Sequence, residues 1–356
     1  KQHFKEENAR PHNNRRELQD FGDYLREKEG LSYLVELIVR EIDEKKEDKK
    51  YWVVDSIRNP GEVQALRENF DNFFLFGISA TQNTRWERVK NIYNEQRLDF
   101  KADDQNDSGI HNEEHGQRVK DCFQLADIII LNEEHYEVSD NQDFQDNLLK
   151  KVKEYIELIT KTEPSRKARA NEAFMLHAYA ISRLSSCLKR KVGAIITDSK
   201  KNIISAGFNE VPSEERSCFS IYKQCYREKI INDFSNSLIS DGFKENEVMD
   251  SIIPKLRENF KMLDYCRALH AEEAAILNLS RSSNSTPLED CTLYVTTFPC
   301  NLCANKIAEV GIGKVIYLEP YPMKEAEKTL DANNIEHCMF EGVSFRAFFK
   351  IYKEIP

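Results

Sequence analysis

The sequence predicts an α/β protein with two domains, and three observations lead to this prediction. The chain has 356 residues, enough for two ordinary domains that each bury a core. In its first part, short apolar runs alternate with helical patterns, which indicates a parallel, doubly wound sheet. In its second part, the pattern predicts a strand hairpin and further strands with helices packed on them. We place the domains at residues 1–160 and 161–356.

Composition restricts the partners that this chain can have. Its 51 basic and 61 acidic residues give a formal charge of −10, so the protein as a whole should repel a phosphate backbone, and no DNA partner is expected. We find no apolar run of about 18 residues and no secretory leader, and we therefore expect no membrane span. Nine cysteines in a chain rich in Lys and Glu favour reduced thiols and metal sites in the cytoplasm. The first residue is Lys1 and not Met, so we expect the natural chain to begin further upstream.

The first domain is predicted to alternate helices with buried strands. Residues 15–46 carry apolar side chains at helical spacing, interrupted at Gly30, which predicts two amphipathic helices. A helix is also predicted from Val63. Three short apolar runs predict the strands: 51–55, 73–78 and 126–132.

Two further stretches of the first domain differ in character. Residues 94–120 are polar, and we predict a loop there, either a lid or a disordered segment. Residues 136–168 carry apolar side chains at helical spacing and then reach a turn around Pro164, which predicts a helix that ends near the domain boundary.

The second domain is predicted to contain one sheet flanked by helices. Its strands are 192–198 and 202–209, joined as a hairpin by Ser199-Lys200-Lys201, followed by 292–297 and 314–318. Its helices are 171–183, one beginning at His270, and 299–311. Between the hairpin and His270 lies a long polar insertion of helical character, residues 211–264. This order places two helix starts at one edge of the sheet.

A metal-binding motif spans those two helix starts. His270-Ala271-Glu272 is followed, after 26 residues, by Pro299-Cys300-Asn301-Leu302-Cys303. One imidazole and two thiolates are three zinc ligands, which leaves the fourth tetrahedral position open, as in catalytic zinc sites. This H-x-E…P-C-x-x-C pattern is the known signature of zinc deaminases. The alternative is a structural zinc with Glu272 as an ordinary exposed acid; the complete motif, with strands on both sides, favours catalysis.

The motif predicts that the metal activates a water molecule and that the carboxylate transfers protons. Cys300 and Cys303 should share one helical face, and the positive ends of both helices should favour thiolates. A bound zinc would lower the pKa of a water molecule towards about 7. Glu272 would then take a proton from that water, pass it to N3 of a cytosine ring and later protonate the departing amine.

Residues 15–135 resemble the P-loop nucleotide kinase family, near its dephospho-coenzyme A kinase and deoxynucleotide kinase branch. The resemblance implies that Asp55, which ends a predicted strand, lies near a metal such as Mg²⁺ and phosphate, and that Arg85 and Arg88 form part of a lid over the phosphates. A scaffold in which these two arginines are only solvated is equally compatible with the sequence. The chain has no G-x-x-x-x-G-K-[ST] loop, since Gly313-Lys314 is followed by valine. Either the loop precedes Lys1 or the domain is a regulatory or assembly module.

Residues 174–321 resemble the deoxycytidylate deaminase family. Gly207-Phe208-Asn209 is similar to the family's G-[YF]-N segment, which implies that Asn209 contacts the sugar, although Glu210 stands where the family usually has glycine. Three basic residues precede the strand at 192–198: Lys189, Arg190 and Lys191. They could reach substrate phosphates, or they could simply be exposed to solvent at the start of the strand. Tyr321 lies where relatives place an aromatic near the base, and core packing is equally compatible with it.

Four cysteines match positions at which members of this family hold a second, structural metal: Cys187, Cys218, Cys225 and Cys266. The resemblance therefore implies a four-cysteine zinc that would staple the polar insertion. The alternative is buried free thiols, to which we assign Cys122, Cys291 and Cys338.

The combination of a kinase-like domain with this deaminase domain resembles bacterial anti-phage cytosine nucleotide deaminases. The resemblance implies deamination of dCTP or dCMP to the uracil nucleotide, depletion of the nucleotide pool during infection, a homo-oligomer, and inhibition by a small RNA in some relatives. Two other functions stay open at this point: deamination of cytidine or adenosine in polynucleotides, which the acidic charge disfavours, and a catalytically silent nucleotide- or RNA-binding regulator.

Overall fold

A computed structural model of the chain describes residues 15–108, 116–133, 142–212, 216–259, 265–281, 286–319 and 323–353, apart from positions 46, 48 and 162. The backbone divides into two compact units, residues 1–165 and 166–354. The division falls a few residues after the predicted boundary at 160. Within the described ranges, no helix is both long and apolar enough to cross a membrane.

The first unit contains seven described helices and two strands. The helices are α1 (Arg15–Glu29), α2 (Tyr33–Lys45), α3 (Pro60–Asn69), α4 (Gln82–Val89), α5 (Arg97–Ser108), α6 (Val119–Gln124) and α7 (Gln142–Thr160). The strands are β1 (Phe76–Ser79) and β2 (Ile128–Leu131), which pair in parallel with Phe76 opposite Ile128. Parallel pairing is what the alternation of helices and strands predicted. Ile128 and Ile130 are fully buried, as expected of a strand covered on both faces.

The strand predicted over residues 51–55 is wrong. Residues 51–58 form no regular secondary structure, and Val53 is 95% exposed. An apolar run forms a stable central strand only where both of its faces are covered, and that cover is missing around Val53. Asp55 is consequently an exposed residue of an irregular segment. The chain becomes regular again at α3, whose N-cap Asn59 accepts a hydrogen bond from Gly61 N in a capping box with Glu62.

The loop predicted over residues 94–120 is also wrong in part, because α5 and the start of α6 fall within it. Residues 109–115 lie outside the described residues. Phe100 anchors α5 by packing against Trp86 and Tyr93, with ring centroids 5.6 and 5.7 Å apart. Two acidic residues of α5 also bind neighbouring side chains, Asp104 that of Arg85 and Asp103 the Tyr93 hydroxyl, and periodicity does not reveal such contacts.

The second unit is built on a five-stranded mixed sheet. Its strands are β3 (Gly193–Thr197), β4 (Ile203–Phe208), β5 (Thr292–Thr297), β6 (Lys314–Glu319) and β7 (Glu336–Met339), in the order β4-β3-β5-β6-β7. Strands β3 and β4 form the predicted antiparallel hairpin, β3 also pairs antiparallel with β5, and β5, β6 and β7 run parallel. A two-residue strand β8 (Gly342–Val343) follows.

The helices of the second unit include all those that the sequence predicted. They are α8 (Ala170–Ser182), α9 (Cys218–Tyr222), α10 (Tyr226–Ser240), α11 (Glu245–Glu247), α12 (Ile253–Asn259), α13 (Ala271–Arg281), α14 (Asn301–Val310), α15 (Lys324–Ala332) and α16 (Phe348–Ile351). A π-helical turn at Val248–Ile252 joins α11 to α12. The elements after β6 were not predicted from the sequence, although Ala326 and Leu330 of α15 are fully buried one turn apart.

Helix α13 lies directly on strand β4, and a glycine makes this possible. A Cβ atom added to Gly207 would come within 2.3 Å of the Ala275 backbone nitrogen. Ser205, two residues earlier on the same strand face, donates a 2.6 Å hydrogen bond to the Ala275 carbonyl oxygen. This close packing fixes the height of α13 above the sheet and hence the position of the residues at its N-terminus.

Candidate active site and metal centre

Two helix N-termini bring three metal-binding side chains together. His270 immediately precedes α13, and its carbonyl oxygen accepts the hydrogen bond from Ala274 N. Cys300 is the N-cap residue of α14, and Cys303 lies in the first turn of that helix. Both sulfurs lie 3.3 Å from Nδ1 of His270. The three ligand atoms all lie within 4.8 Å of one another.

This spacing fits a zinc ion. Zinc bonds of about 2.1 Å to nitrogen and about 2.3 Å to sulfur, at tetrahedral angles, separate the two ligand atoms by about 3.6 Å. The N–S distances of 3.3 Å are close to that value. The arrangement predicted for His270, Cys300 and Cys303 is therefore what the structure contains, and three ligands leave one position for a water molecule or substrate.

The thiols of Cys300 and Cys303 differ in pKa. The hydrogen bond from Cys303 and that from His270 lower the pKa of Cys300 to about 4, although burial acts in the opposite direction. The hydrogen bond to Cys300, together with burial, raises the pKa of Cys303 well above its ordinary value. Hydrogen bonds that the His270 ring donates to Cys266 and Cys300 raise the pKa of His270 to about 10. A cation bound to these ligands must displace such protons, so metal binding here releases protons.

Glu272 lies in the first turn of α13 and is buried, with 4% of its surface exposed. Burial raises its pKa to about 7, and its own backbone amide and the charge on His270 offset only part of that effect. A carboxyl with this pKa can both take and give a proton near neutral pH, which is what a general acid–base residue requires. The next residue, Glu273, differs because it is partly exposed and forms a 2.6 Å ion pair with Lys306 of α14.

Asn209 follows β4 and holds the entry to β3 in place. Its amide oxygen accepts a hydrogen bond of 2.7 Å from Val192 N, and its amide nitrogen donates one of 2.8 Å to the Arg190 carbonyl oxygen. Asn209 is 8% exposed. These bonds use one of the two N–H groups of the amide. The sugar contact predicted for Asn209 stays a prediction.

The other predicted substrate residues lie around the same strand entry or outside the described part of the chain. Lys189 is half-exposed and forms a 2.8 Å ion pair with Glu228. Arg190 and Lys191 are exposed. Tyr321 lies outside the described residues. The basic side chains are therefore near β3, and Lys189 is already paired with an acid.

Glu210 has a role that sequence analysis did not assign. Its carboxylate accepts hydrogen bonds of 2.6 and 2.7 Å from the backbone nitrogen and hydroxyl of Ser186, and one of 2.8 Å from Val211 N. Its carbonyl oxygen accepts a 3.0 Å bond from Leu269 N, immediately before His270. Glu210 thus joins three segments around the metal ligand, and the replacement of the family's glycine was the signal in the sequence.

The four cysteines predicted to bind a second zinc line one cavity of about 30 Å³, with Glu210 and Arg267 among its other walls. Their sulfurs do not form a compact group, however, because among the described residues the only three metal-binding groups within 4.8 Å of one another are His270, Cys300 and Cys303. A hydrogen bond with His270 lowers the pKa of the Cys266 thiol, although burial acts in the opposite direction.

In the first unit, Arg85 and Arg88 lie on α4 and line a cavity of about 290 Å³ with Tyr93, Phe100 and two acidic residues. Arg85 is ion-paired with one of those acids, Asp104. Arg88 donates a 2.7 Å hydrogen bond to the carbonyl oxygen of Asn132, which follows β2.

Together, the mixed sheet, the three ligands on two helix N-termini and the buried glutamate define a zinc-dependent deaminase domain. The sequence profile for the cytidine and deoxycytidylate deaminase zinc-binding region matches residues 168–319. Deoxycytidylate deaminase of Enterobacteria phage T2 is 33% identical over 150 residues, covering 40% of this chain and 77% of the phage protein. This chain belongs to the deoxycytidylate deaminase family.

Other relatives match over similar parts of the chain. Mouse deoxycytidylate deaminase is 28% identical over 186 residues, covering 52% of this chain and 82% of that protein. The enzyme of Saccharomyces cerevisiae is 31% identical over 152 residues, covering 43% of this chain and 38% of that protein. A crystal structure of dCMP deaminase from the cyanophage S-TIM5 is 24% identical, with a TM-score of 0.32, covering 49% of this chain and all of that one.

Proposed function

We propose that this protein hydrolytically deaminates deoxycytidine nucleotides, dCMP or dCTP, to the corresponding deoxyuridine nucleotides. The observation that carries the proposal is the buried Glu272 beside the ligand group of His270, Cys300 and Cys303. Relatives that share this domain are named deoxycytidylate deaminases, and one solved neighbour is a dCMP deaminase in complex with dCMP and dUMP. Overall, water replaces the amino group at C4 of the ring and ammonia is released.

The residues of the site have two roles in this reaction: three bind the metal and one transfers protons. Zinc, when bound by His270, Cys300 and Cys303, acidifies a water molecule and so supplies a nucleophile at neutral pH. Glu272, ionised, takes a proton from the attacking water and, once neutral, donates it to N3 of the ring. The same carboxyl then delivers a proton to the leaving amino group. Its burial keeps both protonation states accessible near neutral pH.

The substrate is tested with free nucleotides. The zinc-loaded protein is incubated with CMP, CTP, dCMP and dCTP, and with a cytosine-containing oligonucleotide, and the products are identified by mass spectrometry. We expect uracil products from the deoxynucleotides and none from the oligonucleotide. Turnover of the oligonucleotide alone, or of no cytosine compound by protein shown to hold zinc, would contradict the proposal.

The catalytic metal is tested with Cys300→Ser. This change removes a ligand sulfur that lies 3.3 Å from His270 Nδ1, and we expect loss of the catalytic zinc together with all measurable deamination. Zinc per chain is measured by plasma mass spectrometry after gel filtration. The matched control is Cys291→Ser, since Cys291 is buried and its sulfur lies near the Pro287 carbonyl oxygen, away from the ligand group. A Cys300→Ser protein with full zinc content would disprove this ligand set.

We also propose a second, structural zinc held by Cys187, Cys218, Cys225 and Cys266. The cavity that all four line supports it. For a Cys₄ site the sulfurs must move closer together than they lie in this structure, since such sites are compact and tetrahedral. Two zinc ions per wild-type chain, falling to one in Cys218→Ser, would support this site; one ion in both proteins would exclude it.

For the first unit we propose a nucleotide-sensing role, following its resemblance to P-loop kinases. The two arginines that line one cavity, Arg85 and Arg88, are the candidates for phosphate contacts, with Asp55 as a candidate for Mg²⁺. Calorimetric titration with ATP, with and without Mg²⁺, tests this role. Binding that weakens in Arg88→Ala supports the role, and the absence of any nucleotide binding would contradict it.

The biological setting is likewise a proposal that rests on the resemblance. We propose a cytoplasmic homo-oligomer that depletes deoxycytidine nucleotides during phage infection and is held inactive by a small RNA. Light scattering gives the oligomer size, and nucleic acid extracted from the purified protein reveals a bound RNA. Protection of bacteria from phage by the wild type, lost in Glu272→Ala, would support the defence role.

A further inference from the structure

The carboxylate of Glu210 binds a different part of the chain from its carbonyl oxygen. The carboxylate oxygens accept hydrogen bonds of 2.6 Å from Ser186 N, 2.7 Å from the Ser186 hydroxyl and 2.8 Å from Val211 N. The carbonyl oxygen accepts the 3.0 Å bond from Leu269 N, in an antiparallel bridge directly before His270. A substitution of the side chain therefore removes the bonds to Ser186 and leaves the backbone bridge to the metal-binding segment in place.

Ser186 belongs to the irregular segment, residues 183–192, that connects helix α8 to strand β3. The segment is bonded at both ends to the residues that follow β4. Near its start, the Ser185 hydroxyl donates to the Asn209 carbonyl oxygen at 2.6 Å, beside the bonds of Ser186 to Glu210. At its end, the Asn209 side chain bonds two backbone groups. Between these anchors lie the three basic residues that are the candidates for phosphate contacts: Lys189, Arg190 and Lys191.

The hairpin of β3 and β4 brings this basic segment to the metal-binding end of the sheet. Asn209 N donates to the Val192 carbonyl oxygen at 3.1 Å, which extends the pairing beyond the two strands. The next residue, Glu210, forms the bridge with Leu269, and His270 follows. The basic segment and the metal ligands therefore lie at the same end of the hairpin. A nucleotide that presents its base to the metal carries its phosphate several ångströms away, and a basic segment in this place suits that phosphate.

We propose that Glu210 is a positioning residue for the substrate phosphate: its carboxylate fixes the start of segment 183–192, so that the basic residues of the segment meet the phosphate of a bound nucleotide. A carboxylate that accepts three hydrogen bonds can hold an irregular segment in one position before the ligand arrives, whereas the glycine usual in the family has no side chain to do so. This role rests on the proposed deaminase function. It predicts that Glu210 sets the affinity for the nucleotide and not the rate of the chemical steps.

The test is steady-state deamination of dCMP and dCTP by the zinc-loaded full chain. We expect Glu210→Ala to raise KM roughly tenfold, because the segment then occupies its binding-competent position for a smaller fraction of the time. We expect kcat to stay within about twofold, because Glu210 does not touch the reacting atoms. Glu210→Gln keeps one acceptor oxygen and should give an intermediate KM. Zinc per chain should equal that of the wild type in each variant.

Two comparisons separate this role from a general loss of structure. The matched control is Asp198→Ala at the other end of the same hairpin, where Asp198 accepts bonds of 2.8 and 2.9 Å from the backbone and side-chain nitrogens of Asn202. We expect its KM to stay at the wild-type value, and an equal rise in both variants would overturn the proposal. In a chain with Lys189, Arg190 and Lys191 all changed to glutamine, Glu210→Ala should alter kcat/KM by less than about twofold. A full tenfold effect in that chain would also overturn it.

Hydrogen exchange of the backbone amides reports on the segment itself and needs no turnover. We expect the amides of residues 186–191 to exchange faster in Glu210→Ala than in the wild type, and at the wild-type rate in Asp198→Ala. Unchanged exchange in Glu210→Ala, or faster exchange with an unaltered KM, would overturn the proposal. If Glu210→Ala does not fold, Ser186→Ala removes only the hydroxyl bond and should raise KM by about two- to threefold. A wild type that turns over no nucleotide would contradict the deaminase function instead, and the exchange rates would still show whether the carboxylate fixes the segment.

Discussion

Two glutamates of the second unit are buried to nearly the same degree, yet burial has opposite consequences for them. Glu172 is 1% exposed and Glu272 is 4% exposed. Burial raises the pKa of Glu272 to about 7. Burial also opposes the ionisation of Glu172, but hydrogen bonds from Arg166 and from the backbone nitrogens of Val343 and Arg169 outweigh it and lower its pKa.

The difference lies in the donors that surround each carboxylate. Arg166 binds Glu172 through two nitrogens, at 2.7 and 2.9 Å, and Val343 N and the Tyr352 hydroxyl each donate at 2.9 Å. Glu272 faces thiols and an imidazole that serve the metal. A carboxylate saturated with donors stabilises the fold as a permanent anion, whereas one that is buried with few donors can exchange protons. The comparison therefore separates a glutamate that stabilises the fold from the one that we propose to transfer protons.

The largest effect is expected at the catalytic member of the pair. Glu272→Gln keeps the shape of the side chain but cannot carry protons, and we expect kcat to fall on the order of 10⁴-fold because proton transfer is lost. Zinc content should stay at the wild-type level, since Glu272 is not among the ligand group. Steady-state ammonia release and plasma mass spectrometry measure the two quantities. Residual turnover within about tenfold of the wild type would assign the proton transfers to another group.

The next largest effect is expected at the structural member. Arg166→Ala removes the bidentate partner of Glu172 and leaves a buried carboxylate with fewer donors, and we expect a loss of roughly 3 kcal/mol in the free energy of unfolding. Chemical denaturation of the zinc-loaded protein measures it. The matched control is Lys161→Ala, which removes an exposed ion pair with Glu157 and should cost less than about 1 kcal/mol. Equal losses in both variants would mean that the Glu172 network does not stabilise the fold.

Residues close together in the chain made the metal site predictable from the sequence. His270 and Glu272 are two residues apart and Cys300 and Cys303 three apart, and each pair begins a helix, so local geometry alone aligns them. The hairpin and strands β5 and β6 around them followed from strand and helix patterns, whereas the strand order β4-β3-β5-β6-β7 was not predicted. The bonds of Glu210 to Ser186 and Leu269 were not predicted, because they join positions that are distant in the chain.

The errors in the first unit have a different physical origin. An apolar run such as residues 51–55 shows that side chains prefer burial, but it does not show whether another part of the fold covers them. Conversely, the polar stretch that contains α5 is held by Phe100, which is 6% exposed, and by the ion pair between Asp104 and Arg85. Burial depends on residues distant in the chain, and a pattern read over ten or fifteen positions does not contain them.

The pH dependence of stability also distinguishes Glu172 from Glu272, because ionisation of the two carboxyls should change the free energy of unfolding in opposite directions. The folded pKa of Glu172 is lowered, so its ionised form contributes stability above its unfolded pKa of about 4.3, and that contribution is lost as pH falls through the lower folded value. The folded pKa of Glu272 is raised, so ionising it costs stability as pH rises from about 4.3 towards 7. At pH 7 we therefore expect Glu172→Gln to destabilise the chelator-treated protein and Glu272→Gln to stabilise it, each on the order of 1–2 kcal/mol.

Denaturant titrations at pH 7, 5 and 3.5 measure these differences. Both should shrink towards the lowest pH, where the two carboxyls are increasingly protonated in the unfolded chain. Two differences of the same sign at pH 7 would show that burial, and not the set of donors, decides the behaviour of both glutamates.

The smallest effect is expected at Glu273, which adjoins Glu272 on α13 but is partly exposed and paired with Lys306 at 2.6 Å. Water screens this ion pair, so we expect Glu273→Gln to change the free energy of unfolding by no more than about 0.5 kcal/mol and kcat by less than about twofold. The same denaturation and ammonia-release assays measure both. Glu273 thus serves as an internal control for the proposed role of Glu272, because the two share a helix turn and differ in burial. A large fall in kcat for Glu273→Gln, with stability unchanged, would mean that the Glu273–Lys306 pair sets the spacing between the two helix N-termini that hold the zinc.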